Sequence, residues 1–238
     1  MWLWESVFRQ KNIRQDVNVS FFTSLGVMFP VEKYANALKK MSEEKNVATN
    51  FKHSLVQVDG VKQIATFTND DTGKQISRYF DFLHVTPHMS PPDFIQKSPL
   101  ADSTGYVEVN INTLQHKRYA NIFSLGDCAA LPTSKTAAAV SSQAPVLVSN
   151  VLKALKGEPL TASYDGYTSC PILVGDNKLI LAEFLYGGKV DESFGWLVDQ
   201  AIPSRIMFHV KRDFFPWVYW NHFVKGSWYG RHLFMEPK

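Results

Sequence analysis

One segment, at positions 121–139, constrains the fold more than any other part of the chain. It begins with a mainly apolar run, continues through Gly126, Asp127 and Cys128, and leads into an alanine-rich stretch. This order is typical of a buried strand that ends at the edge of a sheet and is followed by a helix. Glycine there lets a ligand approach the main chain, and aspartate offers acceptors to hydroxyl groups. Because a helix start adds free N–H groups and a positive dipole end, the segment predicts a site for an electron-rich ligand.

Composition is that of a globular chain that can bury a core. Of the 238 residues, 45% are hydrophobic, which excludes a disordered protein. The formal charge of +3 is too small to indicate a nucleic-acid-binding protein. Two cysteines make neither a zinc framework nor a secreted disulfide scaffold, so we predict no metal site. We also expect no membrane-spanning helix, no signal peptide and no transit peptide.

Hydrophobic periodicity in the first third of the chain predicts a nucleotide-binding type of β-α-β unit. We expect helices over 1–13 and 32–45, with a strand over 17–22 between them. No G-x-G-x-x-G motif occurs anywhere in the chain, so the main dinucleotide-binding signature is absent. The residues predicted to face inward are Leu3, Trp4 and Val7 in the first helix and Tyr34, Leu38 and Met41 in the second.

Further elements are predicted between position 49 and position 157. A helix over 134–156 is expected to end at Gly157, and the prolines within 87–92 indicate a domain crossover. The expected strands are a pair within 49–67, with a turn near Asp59 and Gly60, and single strands at 80–86, 106–109 and 120–125. The residues that the long helix is predicted to bury are Val148, Leu152 and Leu155.

Three segments carry a family resemblance: FLHVTPHMSPP at 82–92, GDCAALPTSKTAAA at 126–139 and YDGYTSCP at 164–171. In this order they resemble the sulfide:quinone oxidoreductases of the eukaryotic mitochondrial type. The resemblance implies an α/β fold with two Rossmann-like dinucleotide-binding domains of the disulfide-oxidoreductase type. It also implies three regions: 1–92 as part of the second Rossmann-like domain, 93–190 as the C-terminal part of the FAD-binding domain, and 191–238 as an amphipathic, membrane-associated region that gives access to quinone.

The activity that the resemblance implies is a flavin-dependent oxidation of hydrogen sulfide. Electrons would pass through FAD to ubiquinone, and a sulfane-sulfur acceptor of open identity would take the sulfur. The enzyme would lie peripherally on the mitochondrial inner membrane. Nucleic acid is not an expected partner.

Four residues are the candidate site residues, and each also has an ordinary structural interpretation. Gly126 and Asp127 would bind the ribityl or ribose hydroxyls of FAD, although Asp127 is equally a helix-capping residue type. Lys135, expected in the first helical turn, would face the electron-rich edge of the flavin, or it is simply solvated. Cys170, expected in a constrained turn, would carry the sulfane sulfur, whereas a lone Cys-Pro is often structural. Cys128 is predicted to pack against its own turn.

The resemblance also implies a second redox cysteine, because thiolate exchange requires two sulfurs. In the family this cysteine and the G-x-G-x-x-G turn precede the helix with which this sequence begins. We therefore expect the chain to correspond to the C-terminal half of the family, and to be inactive on its own.

The region 205–231 contains nine aromatic residues among basic ones, Arg205, Lys211, Arg212, Lys225 and Arg231. This mixture favours an amphipathic helix at a membrane surface, and the alternative is a core or subunit contact. Two other functions stay open. One is another FAD-dependent quinone reductase, such as a single-subunit NADH dehydrogenase, and the other is a non-catalytic paralogue that binds a membrane surface.

Overall fold

The computed structural model describes residues 1–230, which form two compact units. The first unit comprises Met1–His88 and Leu173–Asp176, and the second comprises Met89–Ile172 and the residues from Asn177 onward. Both units contain helices and strands, so the predicted α/β class is confirmed.

The first unit contains two small sheets and two helices. Its elements are α1 (Trp2–Gln10), β1 (Val19–Phe22), α2 (Glu32–Glu44), β2 (Val47–Asn50), β3 (His53–Asp59), β4 (Ile64–Asn69) and β5 (Gln75–Tyr79). Strands β1 and β2 pair in parallel, with Val19 opposite Val47, and α2 forms the crossover between them. This confirms the predicted β-α-β unit.

Helix α2 packs as its periodicity predicts. Tyr34, Leu38 and Met41 are all buried, at intervals that place them on one face of the helix. Beside β1, the ring of Phe22 stacks on that of Phe67 at a centroid distance of 3.9 Å, which joins the parallel pair to the second sheet. The core of the unit therefore forms between α2 and the strands.

The second sheet is antiparallel and has the order β3-β4-β5. The expected strand pair within 49–67 is present as β3 and β4, which connect after Asp59. The strand expected at 80–86 is wrong, because the chain has no regular structure there. The true edge strand, β5, comes just before it and has the largely polar sequence QISRY, so it carries little hydrophobic signal.

Helix α1 turns its polar face inward, contrary to the prediction. Leu3, Trp4 and Val7 are exposed, whereas Trp2, Glu5 and Ser6 are buried. The predicted face is wrong because the buried face combines one apolar side chain with two polar ones.

An ion-pair cluster around Glu5 determines the orientation of α1. The Glu5 side chain is fully buried, with Oε1 2.7 Å from Arg9 Nε and Oε2 2.8 Å from Lys45 Nζ. Arg14 Nε lies 3.9 Å from Oε1. A buried carboxylate needs such partners, so α1 must present Glu5 to the cations near the end of α2.

The second unit contains one long helix and a two-stranded hairpin. Its elements are α3 (Asp93–Gln96), α4 (Ala137–Leu155), β6 (Thr168–Gly175, of which the end from Leu173 belongs to the first unit), β7 (Lys178–Phe184), α5 (Arg205–His209), a π-helical stretch (Val210–Phe214) and α6 (Phe215–Asn221). The strands predicted at 106–109 and 120–125 are wrong. Only isolated bridges occur there, such as Val107 with Ala129 and Gln115 with Phe123.

Helix α4 begins and ends near the predicted positions, but it buries a different face. Val148, Leu152 and Leu155 are exposed, which corrects the prediction. Asn150 is fully buried instead, since its Nδ2 donates to the carbonyl oxygens of Thr113 (3.0 Å) and Ala162 (2.9 Å). The helix is followed by Gly157 with φ of +71°, as expected for a helix C-terminus.

The helical segment at 205–221 exposes several large apolar side chains. Ile206, Trp217 and Trp220 each have at least half of their surface exposed. Within residues 1–230, no helix is both long enough and apolar enough to cross a membrane. Arg231, part of the predicted basic and aromatic region, lies outside the described residues.

We predict that Glu5→Ala lowers the free energy of unfolding by roughly 3 kcal/mol. The substitution leaves the three cations without their shared carboxylate. Glu44→Ala is the matched control, because it removes an exposed carboxylate that lies 3.9 Å from Lys40, and it should cost less than about 1 kcal/mol. Urea denaturation of both variants measures the difference, and equal losses would contradict this role of Glu5.

Candidate functional site

The Gly126–Cys128 turn is a short 3-10 helix in the second unit. Gly126 has φ of +70°, a left-handed conformation that favours glycine. Its amide donates to Oε1 of the buried Gln143 on α4, at 2.8 Å. A Cβ atom at Gly126 would lie 3.4 Å from a methyl group of Val140. Glycine therefore lets α4 pack closely against the turn.

Asp127 is exposed at the tip of this turn. It is not the cap of α4, since Thr136 has that role: its Oγ1 accepts from the Ala139 amide at 3.1 Å. The helix-capping interpretation of Asp127 is therefore wrong. Its carboxylate is accessible to a hydroxyl-bearing ligand.

Lys135 lies just before the N-cap residue, and not in the first turn of the helix as predicted. Its Nζ donates to the main-chain oxygens of Asp127 (2.6 Å) and Ala129 (2.9 Å), and it lies 4.0 Å from the ring centroid of Tyr106. Partial burial lowers the pKa of this lysine. The ammonium group thus holds the turn in place, which also excludes a freely solvated side chain.

Cys128 has the structural role that the sequence predicts. Its sulfur lies 3.2 Å from Ser124 Oγ and 3.2 Å from the carbonyl oxygen of Leu125, to which the thiol donates. Both contacts are local, so this thiol is engaged within its own turn.

A small recess that is open to solvent lies between the turn and the start of α4. The amides of Ala137 and Ala138 precede the first intrahelical hydrogen bond, so they can donate to a ligand. Residues of the turn, of the connection to α4 and of α4 itself line the recess: Gly126, Ala129, Leu131, Thr133, Ser134, Lys135, Thr136, Ala139 and Gln143.

Cys170 lies within strand β6, which corrects the expected turn. Burial raises the pKa of the thiol, and a hydrogen bond with the side chain of Ser134 lowers it in part. The net shift of the pKa is upward, so burial outweighs this hydrogen bond. Ser134 lines the recess, whereas Cys170 does not, so Ser134 is the residue that links Cys170 to this site.

Sequence reasoning missed three residues of this site: Ser134, Gln143 and Tyr106. Gln143 occupies a buried position on α4, and a polar residue in a helix usually indicates the solvent face. Tyr106 was assigned only to a strand. Ser134 lies beside Lys135 in sequence, and only the folding of this segment against β6 brings it to Cys170.

Comparisons with known proteins bear on this site. Three curated relatives, each named mitochondrial sulfide:quinone oxidoreductase, come from Schizosaccharomyces pombe (46% identity), Dictyostelium discoideum (45%) and Mus musculus (44%). They match 97–100% of this chain. By sequence, the chain is similar to one part of these sulfide:quinone oxidoreductases. No family model matches it.

The chain spans about half the length of these sulfide:quinone oxidoreductases, 51–53%. A solved structure of the sulfide:quinone oxidoreductase from Aquifex aeolicus matches 92% of the chain and 53% of its own length, with a TM-score of 0.70 and 14% identity. This likeness confirms the fold type that the resemblance implies, since the chain folds like one part of that structure. A chain in the Tetrahymena thermophila mitochondrial ATP synthase structure matches 97% of this chain and 56% of its own length, with a TM-score of 0.80 and 25% identity.

We predict that Lys135→Met lowers the free energy of unfolding by about 1–2 kcal/mol, because two carbonyl groups lose a charged donor. Lys156→Met, at an exposed lysine just after α4, is the matched control and should change it by less than about 0.5 kcal/mol. Denaturation curves of both variants test this. Equal stability of the two would show that Lys135 does not hold the turn.

Proposed function

We propose that the chain takes part in the flavin-dependent oxidation of hydrogen sulfide, with electron transfer to ubiquinone. One observation carries the proposal: the Gly126 turn and the N-terminus of α4 border a single recess, and Ser134 of that recess interacts with Cys170, in a chain similar to sulfide:quinone oxidoreductases. The relatives are named for these two substrates. A separate sulfane-sulfur acceptor completes the proposed partners.

The residues of the recess fit FAD. Gly126 has the backbone conformation that permits close approach, Asp127 presents an exposed carboxylate to hydroxyl groups, and α4 offers free amides. Lys135 adds a positive charge beside them. When bound, FAD would accept two electrons from sulfide and pass them to quinone.

Cys170 is the proposed nucleophile of this site. Sulfur exchange requires its thiolate, and burial opposes the loss of the thiol proton. Exchange also requires a second thiol, and Cys128 is bonded within its own turn. We therefore propose that this chain does not oxidise sulfide alone, and that it corresponds to the C-terminal half of its relatives.

Membrane association is proposed from the segment at 205–225. It combines exposed Trp217 and Trp220 with the basic residues Lys211 and Lys225, a mixture that suits a lipid headgroup region. The relatives are named mitochondrial. We propose a peripheral position on the mitochondrial inner membrane, where a lipid-dissolved quinone is accessible.

A non-catalytic paralogue is the second candidate. Its support is the similar chain within the Tetrahymena thermophila mitochondrial ATP synthase structure, since that assembly is other than a sulfide:quinone oxidoreductase. The third function, a single-subunit NADH dehydrogenase, has no comparable observation in its favour. Flavin absorbance and sulfide-dependent quinone reduction separate these candidates.

A chimera tests the proposed chemistry. In the Schizosaccharomyces pombe relative, the segment that aligns with this chain is replaced by this chain. We expect the chimera to bind FAD and to reduce a ubiquinone analogue with sulfide. Cys170→Ser should keep the flavin and lower the rate by at least about 100-fold, because serine is a far weaker nucleophile.

Cys128→Ser is the matched control in the same chimera, and it should stay within about threefold of the parent rate. Flavin absorbance and quinone reduction are measured for all three proteins. A Cys170→Ser chimera that turns over as fast as its parent would refute the assignment. An inactive parent that binds FAD would favour the non-catalytic paralogue.

Liposome co-sedimentation tests the membrane surface. We expect the double variant Trp217→Ser, Trp220→Ser to bind vesicles containing anionic lipid at least about tenfold more weakly, because it loses two interfacial anchors. Phe94→Ser, at an even more exposed aromatic residue elsewhere in the second unit, should bind like the parent chain. High salt should release part of the bound protein, since each basic residue near the surface contributes about 1 kcal/mol. Equal pelleting of both variants would contradict this surface.

A further inference from the structure

Glu183 is a buried carboxylate on strand β7 that the proposed chemistry does not use. Its Oε1 accepts from Ser193 Oγ at 2.8 Å and from the Tyr167 hydroxyl. Its Oε2 accepts from the Ser193 amide at 2.8 Å and from Gln200 Nε2 at 2.7 Å. Each of these contacts supplies a donor, which suits the two oxygens of a carboxylate. Glu183 therefore joins the residue before β6, strand β7 and the connection that follows β7.

Gln200 extends these contacts along β7. Its Nε2 also donates to the carbonyl oxygen of Leu181 at 2.8 Å, and its Oε1 accepts from the Phe194 amide at 2.7 Å. The Gln200 carbonyl oxygen in turn accepts from the Leu181 amide at 3.2 Å. Gln200 thus closes the loop at 194–199 at its base and binds it to β7.

Hydrophobic burial does not explain the position of this loop. Trp196 and Leu197, in its middle, are 82% and 67% exposed, whereas Glu183 and Gln200 at its base are 3% and 1% exposed. A buried carboxylate and a buried amide are costly unless they are hydrogen-bonded. We therefore attribute the position of the loop to the polar contacts at its base and not to its exposed apolar side chains.

The residues after the loop lead directly into the aromatic segment at 205–225. The main chains of Leu179 and Ser204 form an antiparallel bridge, with N–O distances of 3.1 and 2.9 Å. Ser204 Oγ then accepts from the Met207 amide at 3.3 Å and caps α5. The start of the aromatic segment is therefore attached to the strand that carries Glu183.

We propose that Glu183 is a positioning residue for the aromatic segment: its carboxylate holds the loop at 194–199 against β7 and Tyr167, and it thereby keeps the segment in a fixed position relative to the strands that carry Glu183 and Cys170. Tyr167 comes three residues before Cys170 in the chain, and it donates to the same carboxylate as Ser193. The proposal rests on the proposed function only in giving this fixed position a purpose.

Hydrogen exchange of the full 238-residue chain, followed by NMR, tests these contacts without flavin or substrate. Glu183→Met removes both acceptor oxygens from a side chain of similar length. We expect the amides of Ser193, Phe194 and the residues at 200–209 to exchange at least about tenfold faster in this variant, because hydrogen bonds to a charged acceptor are lost. The amides of α4 should exchange as in the parent. Glu158→Met, at an exposed carboxylate after α4, is the matched control and should change neither region.

Two further variants separate a specific contact from a general loss of structure. Glu183→Gln keeps an acceptor for the Ser193 amide and Gln200, and its own amide group can donate to the hydroxyls of Tyr167 and Ser193. Exchange should therefore stay within about threefold of the parent. Ser193→Ala removes one donor and should speed exchange of the same residues by about two- to fivefold. It provides the test if Glu183→Met does not fold.

Two spin labels measure the position of the aromatic segment. In a background of Cys128→Ser and Cys170→Ser, the labels are attached at Lys178→Cys on β7 and Lys225→Cys after α6, which are both exposed positions. We expect one narrow distribution of distances in this parent, and a distribution at least about twice as wide when Glu183→Met is added. Glu158→Met should leave the width unchanged.

Exchange that rises equally throughout the second unit in Glu183→Met, or does not rise at all, would overturn the proposal, as would a distance distribution as narrow as that of the parent. The outcome is independent of the chimera experiment, which measures chemistry at Cys170. A loosened segment combined with an active Cys170→Ser chimera would refute the proposed function and leave the role of Glu183 intact. An unchanged segment with an inactive Cys170→Ser chimera would do the reverse.

Discussion

The second unit depends on two amide side chains that α4 buries. Gln143 accepts from the amide of Gly126, and Asn150 bonds the main chain at Thr113 and Ala162. The two residues are seven positions apart, so they lie on the same face of the helix. Gln143 holds the turn that precedes α4, and Asn150 holds the two loops that lie beside the second half of α4. Since buried main-chain groups must be paired, these bonds set the rotation of α4.

The same constraint explains which parts of the fold could be predicted from sequence. The β1-α2-β2 unit was predictable because α2 buries Tyr34, Leu38 and Met41 at regular intervals, and no polar contact opposes that pattern. Helices α1 and α4 were located correctly, but their inward faces were not. In both, a polar side chain with specific partners is buried in place of the apolar face, and hydrophobic periodicity carries no information about such partners.

The local features of the candidate site could be predicted from sequence, but its electrostatic environment could not. The glycine turn, the helix start and the cysteine can each be recognised from a short sequence segment. The family resemblance, which depends on the order of these segments, related them to one site. The electrostatic environment of Lys135 and Cys170 could not be predicted, because it depends on contacts between segments that are distant in sequence. Lys135 was expected to face a ligand alone, yet it also binds the main chain of the turn. The proposed chemistry of Cys170 requires a thiolate, yet burial raises the pKa of its thiol.

The connection between α4 and β6 links the two halves of the site chemically. Hydrogen bonds run from the amide of Ala139 to Thr136, and from Thr136 to Thr168, which contacts the main chain of Ser134. The residue that caps the helix at the recess therefore also fixes the register of the strand that carries Cys170. A shift of the helix N-terminus relative to β6 would displace the ligand-facing amides and the hydroxyl beside the thiol together. The same hydrogen bonds therefore hold both the helix start at the recess and the strand that carries Cys170.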